Sequence, residues 1–347
     1  MGRASHGFRW RVSDVYFSLL KSSLNTRPHL DLVFITLVWI VWLVITVGAN
    51  RWALFVDDWF MPVTMAFGSF VAGSTSQGGG AVAFPVMTLG FNIDPRGARD
   101  FSMMIQSIGM TSATMVILWR RIPIEKTALL IAGLSGAVGI VFGLEVVQFW
   151  FESTPTKVFF VSLWLAFGVA LWTINRVKGS IKRESLADRN PGTLICLALA
   201  GFVGGTVSGL LGSGLDIFVF AALVLGFRVC ETVATPTSVI LMASNSVVGF
   251  LWRLSGGGGE AIAPEIWNYW WVCIPVVAIG APMGARFISN RGHLFVVRLL
   301  LVVIVAQALG AVFIVSFDGP LIALAVATFG LGVALFLLLW RWGRRYA

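Results

Sequence analysis

Two apolar stretches of this chain are interrupted by glycine and small polar residues, and few environments constrain such a break more than a membrane does. The first runs from Gly68 to Phe91, GSFVAGSTSQGGGAVAFPVMTLGF, with a polar middle from Gly73 to Gly80. A broken helix frees N–H and C=O groups that hydrocarbon cannot hydrogen-bond. At membrane depth a break is therefore tolerated only inside protein or beside a cavity. The pattern returns 136 residues later, from Gly204 to Phe227, GGTVSGLLGSGLDIFVFAALVLGF, and 8 of the 24 aligned positions are identical without a gap. The register continues, with Ala98 and Ser102 meeting Ala234 and Ser238. Two interrupted segments in corresponding halves point to a transporter's binding site.

Composition supplies the membrane. The chain has 347 residues, 57% hydrophobic and 12% charged, against about 25% charged in a soluble domain. The net charge of +9 would suggest nucleic acid in a soluble protein, but here the basic residues lie in loops and tails, so no nucleic-acid partner is expected. Cys196, Cys230 and Cys273 form neither a metal spacing nor a disulfide framework. Tryptophans at span ends, such as Trp267, Trp270 and Trp271, read as an interfacial belt.

Hydropathy divides the chain into an interfacial N-terminal segment (1–30), an extra span and outer loop (31–59), a first repeat (60–175), a basic linker (176–192), a second repeat (193–320) and a final span with a basic tail (321–347). Within 1–30, Phe8, Val12, Val15, Tyr16, Leu19 and Leu20 recur at helical spacing, the pattern of a helix lying in the membrane surface. Charge decides whether the broken segments cross. If each enters and leaves on one side and both termini are cytoplasmic, 19 basic residues lie inside and 4 outside, the latter being Arg51, Arg96, Arg99 and Lys157. Crossing segments would put the five-charge linker and the 120–126 loop outside, so the positive-inside rule favours re-entrant hairpins. Each repeat is then one hairpin plus three crossings, which inverts the second repeat against the first. The expected architecture is an all-α, multi-pass protein of the cell (inner) membrane with lipid around it. Arg253 and Arg298 fall within spans near their ends and are expected to snorkel. Arg96, Arg99 and Arg228 flank the hairpins and read as loop charge, with electrostatic attraction of anions as the alternative.

The chemistry expected at the breaks favours anions. Each second half-helix begins at a tip, near Gly80 and near Asp216, and a helix N-terminus presents unpaired N–H groups to negative charge. The expected substrate site comprises Ser76, Gln77, Gly78, Gly79 and Gly80 on one tip and Gly212, Ser213 and Gly214 on the other, with Gln77 and Ser213 equivalent at the repeat offset. The following spans add Gln106 and Asn245, as ligands or as packing positions. Asp216 is an acidic residue deep in a broken segment, a candidate for proton coupling or a helix N-cap. His6, His29 and His293 lie outside or at the edges of spans, and no HExxH or GK[ST] motif occurs, so neither a cofactor nor ATP-driven chemistry is expected. An anion channel or a membrane-embedded enzyme are the alternatives to a transporter.

The paired motifs, Gln77-Gly-Gly-Gly80 with Pro85, then Ala98-Arg-Asp-Phe-Ser102 and Ala234-Thr-Pro-Thr-Ser238, resemble those of the sulfite exporter TauE/SafE family. The resemblance covers about residues 60–340. The second motif carries Leu215 and Asp216 where the family pattern has glycines, and Ala221 where it has proline. The resemblance implies a secondary transporter of small sulfur-containing anions, sulfite or organosulfonates, moving outward by alternating access. It leaves the oligomeric state open.

Overall fold

The computed structural model describes residues 30–75, 78–175, 183–186, 189–289 and 293–345. The expected surface helix within 1–30 and most of the basic linker lie outside them. Among the described residues the protein is all-α, with one isolated bridge between Arg183 and Val229. The helices are α1 (Leu30–Gly48), α2 (Phe60–Ser74), α3 (Gly80–Pro85), α4 (Pro95–Trp119), α5 (Lys126–Glu145), α6 (Ser153–Asn175), α7 (Pro191–Leu211), α8 (Leu215–Ala221), α9 (Glu231–Leu254), α10 (Pro264–Ser289), α11 (His293–Ile314) and α12 (Gly319–Arg345). Local chemistry sets several starts. Asp94 caps α4 through the Arg96 N–H with proline next in line, and Asn190 caps α7 through the Thr193 N–H before Pro191. Eight of the described helices are long and apolar enough to cross a membrane, nine counting α1 with its bent continuation to Asp57. The chain is a multi-pass membrane protein.

The two breaks are hairpins. Helix α2 has 15 residues, roughly 22 Å at ~1.5 Å per residue, short of the ~30 Å hydrocarbon core. After the tip the chain folds back, and a methyl built on Gly68 would stand 3.3 Å from Val82. In the second hairpin Gly204 lies against Leu215 and Phe218. Its first arm, α7, has 21 residues, enough by length alone to cross a bilayer.

The repeat visible in sequence extends to backbone conformation. Helices α3 and α8 each run into a π-helical turn, at Val86–Gly90 and Ala222–Gly226. Phe91 N–H donates to Val86 O and Phe227 N–H to Ala222 O; Ile93 N–H donates to Met87 O and Val229 N–H to Leu223 O. Asn92 and Arg228 both adopt positive φ, 51° and 57°. Every one of these pairs is 136 residues apart.

Packing is exchanged between repeats. The first arm of each hairpin, α2 or α7, lies against the other repeat's helix, α10 or α5. Both interfaces bring backbone to backbone. A methyl on Gly73 would stand 1.9 Å from Ala281 O, and one on Gly205 would stand 2.2 Å from Gly136 O. Small residues are the means by which membrane helices approach closely, because lipid offers no hydrophobic drive to hold them together. Helix α1 is tied on by tryptophans: Trp42 Nε1 donates to Trp271 O and Trp271 Nε1 to Thr46 Oγ1, each at 3.0 Å. Trp270 Nε1 donates inward to Met104 O. This trio therefore links helices as well as marking a span end.

Gly205→Val is expected to destabilise the protein by at least the ~1–3 kcal/mol of an overpacked core. Gly310, which has no heavy atom within 4 Å of a built methyl, should accept alanine without loss. Thermal melting of both variants by size-exclusion chromatography in detergent checks the contrast.

Candidate functional site

The two tips meet. Gly78 N–H donates to Asp216 Oδ2 at 2.5 Å, and Gly214 N–H donates to Asp216 Oδ1 at 3.1 Å. Gly78 and Gly214 are the same position in the two repeats, so equivalent amides converge on a single carboxylate. Asp216 is 1% exposed. Among the described residues no arginine or lysine pairs with it. Helix α8 starts at Leu215 with Gly214 as its N-cap. Asp216 therefore sits in the first turn, two places after the Gly214 cap and not at the cap itself as expected from sequence, and its carboxylate reaches back to the cap's amide.

Gln106 locks the arrangement from α4. Its Nε2 donates to Ser102 O and to Gly212 O, each at 2.8 Å. A methyl on Gly78 would stand 2.0 Å from Gln106 Oε1, whereas one on Gly79 meets nothing closer than 3.5 Å. Of those two glycines, Gly78 is the one that must lack a side chain. Gly80 faces Gln106 and Ser102 at 3.0 Å. Gly212 needs its residue type twice over: its φ is +76°, and a methyl there would stand 2.5 Å from Ser102 Cβ.

Several buried polar atoms around the tips have no hydrogen-bond partner, namely Ser213 Oγ, Gln106 Oε1, Ser246 Oγ and both amide atoms of Asn245. Asn245 stands on α9 between Met242, which touches the built methyl of Gly78, and Gly249, which abuts Met103. Its helix face is thus turned to α4 near the tips. The structure brings together Gly78, Gly79, Gly80, Gln106, Gly212, Gly214 and Asp216. Ser76 and Gln77 lie outside the described residues. A cavity of only about 10 Å³ adjoins Gly79 and Gln106.

A profile of the family described as sulfite exporter TauE/SafE matches residues 60–306. The chain belongs to the TauE/SafE family. The match begins at the first residue of α2 and ends inside α11, so it takes in both hairpins and leaves α1 and α12 outside. No curated protein and no solved structure matches the chain. TauE/SafE proteins are membrane transporters, and eight apolar, span-length helices among the described residues, one of them a hairpin arm, are in keeping with that class.

Charge near the tips departs from the sequence reading. Arg253 does not snorkel. It is 6% exposed, and its Nε and Nη2 donate to the two oxygens of Asp100 at 3.1 and 2.9 Å. Nor is Arg99 loop charge: it is 1% exposed and donates from Nε and Nη2 to Asp100 Oδ1 at 2.9 and 2.8 Å. Its Nη1 donates to Gln148 Oε1. Arg253 also donates to Gly257 O and Glu260 O. One carboxylate thus holds two guanidiniums and joins α4 to α9. Local spacing carries no trace of this, because Asp100 and Arg253 are 153 residues apart.

Asp100→Asn leaves two buried guanidiniums without a carboxylate. It is expected to cost about the 3–5 kcal/mol of a broken buried ion pair. Arg99→Gln leaves Asp100 and Arg253 matched one to one and should cost less. Unfolding of the purified variants in graded sodium dodecyl sulfate orders them.

Proposed function

We propose that this chain is a secondary transporter that carries small sulfur-containing oxyanions, of the sulfite or organosulfonate kind, through a site between the two hairpin tips. The observation that carries the reading is the Asp216 carboxylate held by the equivalent amides of Gly78 and Gly214. A carboxylate and a sulfite offer the same kind of oxygen to an N–H donor, so a pair of amides that accommodates one suits the other. The partnerless atoms of Ser213, Gln106 and Asn245 support the same site, since a buried polar group left unpaired costs ~1–3 kcal/mol and a ligand with oxygens and water removes that cost. Ser76 and Gln77 complete the first tip in this reading.

The mechanism follows from competition for the amides. An ionised Asp216 and a bound anion cannot share them at low dielectric, because like charges this close raise each other's energy steeply. Protonation turns one carboxylate oxygen from acceptor into donor. Asp216 then releases the amides and can itself donate to the anion. Anion binding and proton uptake are linked in this way. Rocking of one repeat against the other re-exposes the site on the far side. The repeats are inverted in this reading, both termini face the cytoplasm of the cell (inner) membrane, and net transport is outward.

Asp216→Asn keeps an acceptor for the amides and removes the titratable proton. In proteoliposomes loaded with sulfite its flux should no longer respond to a pH gradient. Ser213→Ala should weaken sulfite binding roughly ten- to a hundredfold, the loss of one hydrogen bond to a charged ligand. A parental gradient response in the first variant together with parental affinity in the second removes the site. Orientation is checked separately. Cysteines introduced within 120–126 should resist an impermeant thiol reagent in intact cells, and cysteines within 256–263 should react with it.

A further inference from the structure

We propose a second oxyanion site, at the floor of a cavity that leads from one face of the protein toward the second tip. The cavity measures about 410 Å³, and its wall includes Arg96, Arg99, Gln148, Thr156 and Leu210. At ~30 Å³ per water that is room for a small oxyanion with part of its hydration shell.

Among the described residues, the buried ion-pair cluster at the floor keeps one positive charge in excess. Asp100 supplies one negative charge to Arg99 and Arg253 together, leaving the triad with a net charge of +1. A buried excess charge is costly unless it is paired. Of the two arginines, Arg99 is the one that reaches the cavity. Its bonds to Asp100 and Gln148 use three of a guanidinium's five N–H groups and leave two for a ligand. Helix α6 starts at the wall with Ser153, adding the positive potential of its N-terminus, while the N-terminus of α4 is capped by Asp94. Acidic side chains also line the cavity, but Asp94, Glu152 and Glu260 are exposed. They stand at the wet mouth, where salt screens them, whereas Arg99 and Gln148 are buried at the floor. The combination selects a small anion over a polyanion.

Position gives the site a role. A methyl on Gly212 would stand 2.6 Å from Arg99 O, and Leu210 lies two residues before Gly212. An anion at Arg99 is therefore one layer of protein from the tips. It would act as a waiting station for the tip site. That role rests on the function proposed above; the vestibule site itself does not.

The test uses the full chain in nanodiscs with [35S]sulfate as the probe. Gly78→Leu closes the tip and should leave sulfate binding measurable. Adding Arg99→Gln should weaken that binding at least tenfold, and Arg99→Lys, which keeps the charge, should weaken it less. A second measurement leaves the tip untouched. With Cys196, Cys230 and Cys273 replaced by alanine, Ser153→Cys at the mouth should react faster with an anionic than with a cationic methanethiosulfonate. Sulfate should slow the anionic reaction, and Arg99→Gln should erase both effects. Loss of all sulfate binding in a folded Gly78→Leu protein overturns the vestibule site, as do Ser153→Cys rates that ignore sulfate and Arg99. If these effects stand while Asp216→Asn keeps a parental gradient response and Ser213→Ala a parental sulfite affinity, the tip reading fails and the vestibule site survives.

Discussion

Much of this fold depends on one constraint: a helix broken at membrane depth must have its freed backbone groups satisfied by protein. Here two breaks satisfy each other. Asp216 from the second tip accepts the Gly78 amide of the first and the Gly214 amide of its own, while Gln106 donates to the carbonyl of Gly212. Neither hairpin is complete without the other, so the tips pair across the repeats.

The frame that holds the tips is built on the same exchange. Each hairpin's first arm lies on a helix of the opposite repeat at distances only glycine permits. The Arg99–Asp100–Arg253 cluster joins α4 to α9 at one end of the same region. These contacts are of two kinds, dispersion between close backbones and a charge-assisted network, and both lose strength quickly with distance. A frame of this sort favours discrete arrangements over gradual deformation.

The sequence discloses the hairpins well because the need for glycine and polar side chains at a break is local. The offset of 136 residues also aligns Asn92 with Arg228, which share a positive φ in the structure. What it hides is pairing at long range. Arg253 reads as a span-end charge, since hydropathy records cost and not partner, and its carboxylate is 153 residues away. Gly136 and Gly205 read as ordinary membrane-helix glycines until α5 and α7 are seen in contact. Asp216 is noticed as an intramembrane acid, but its service to both tips depends on a fold in which residue 78 meets residue 216.

The repeats are alike in backbone, and at the tips they differ in charge at one position. Where the second carries Asp216, the first carries Gly80. If the two halves were chemically identical, exchanging their conformations would give a state of equal free energy, and the protein would idle evenly between its two faces. A single carboxylate rooted in one half removes that degeneracy. In the transporter proposed above the two end states then differ in free energy before any gradient is applied, while the gradients alone set the direction of net flux.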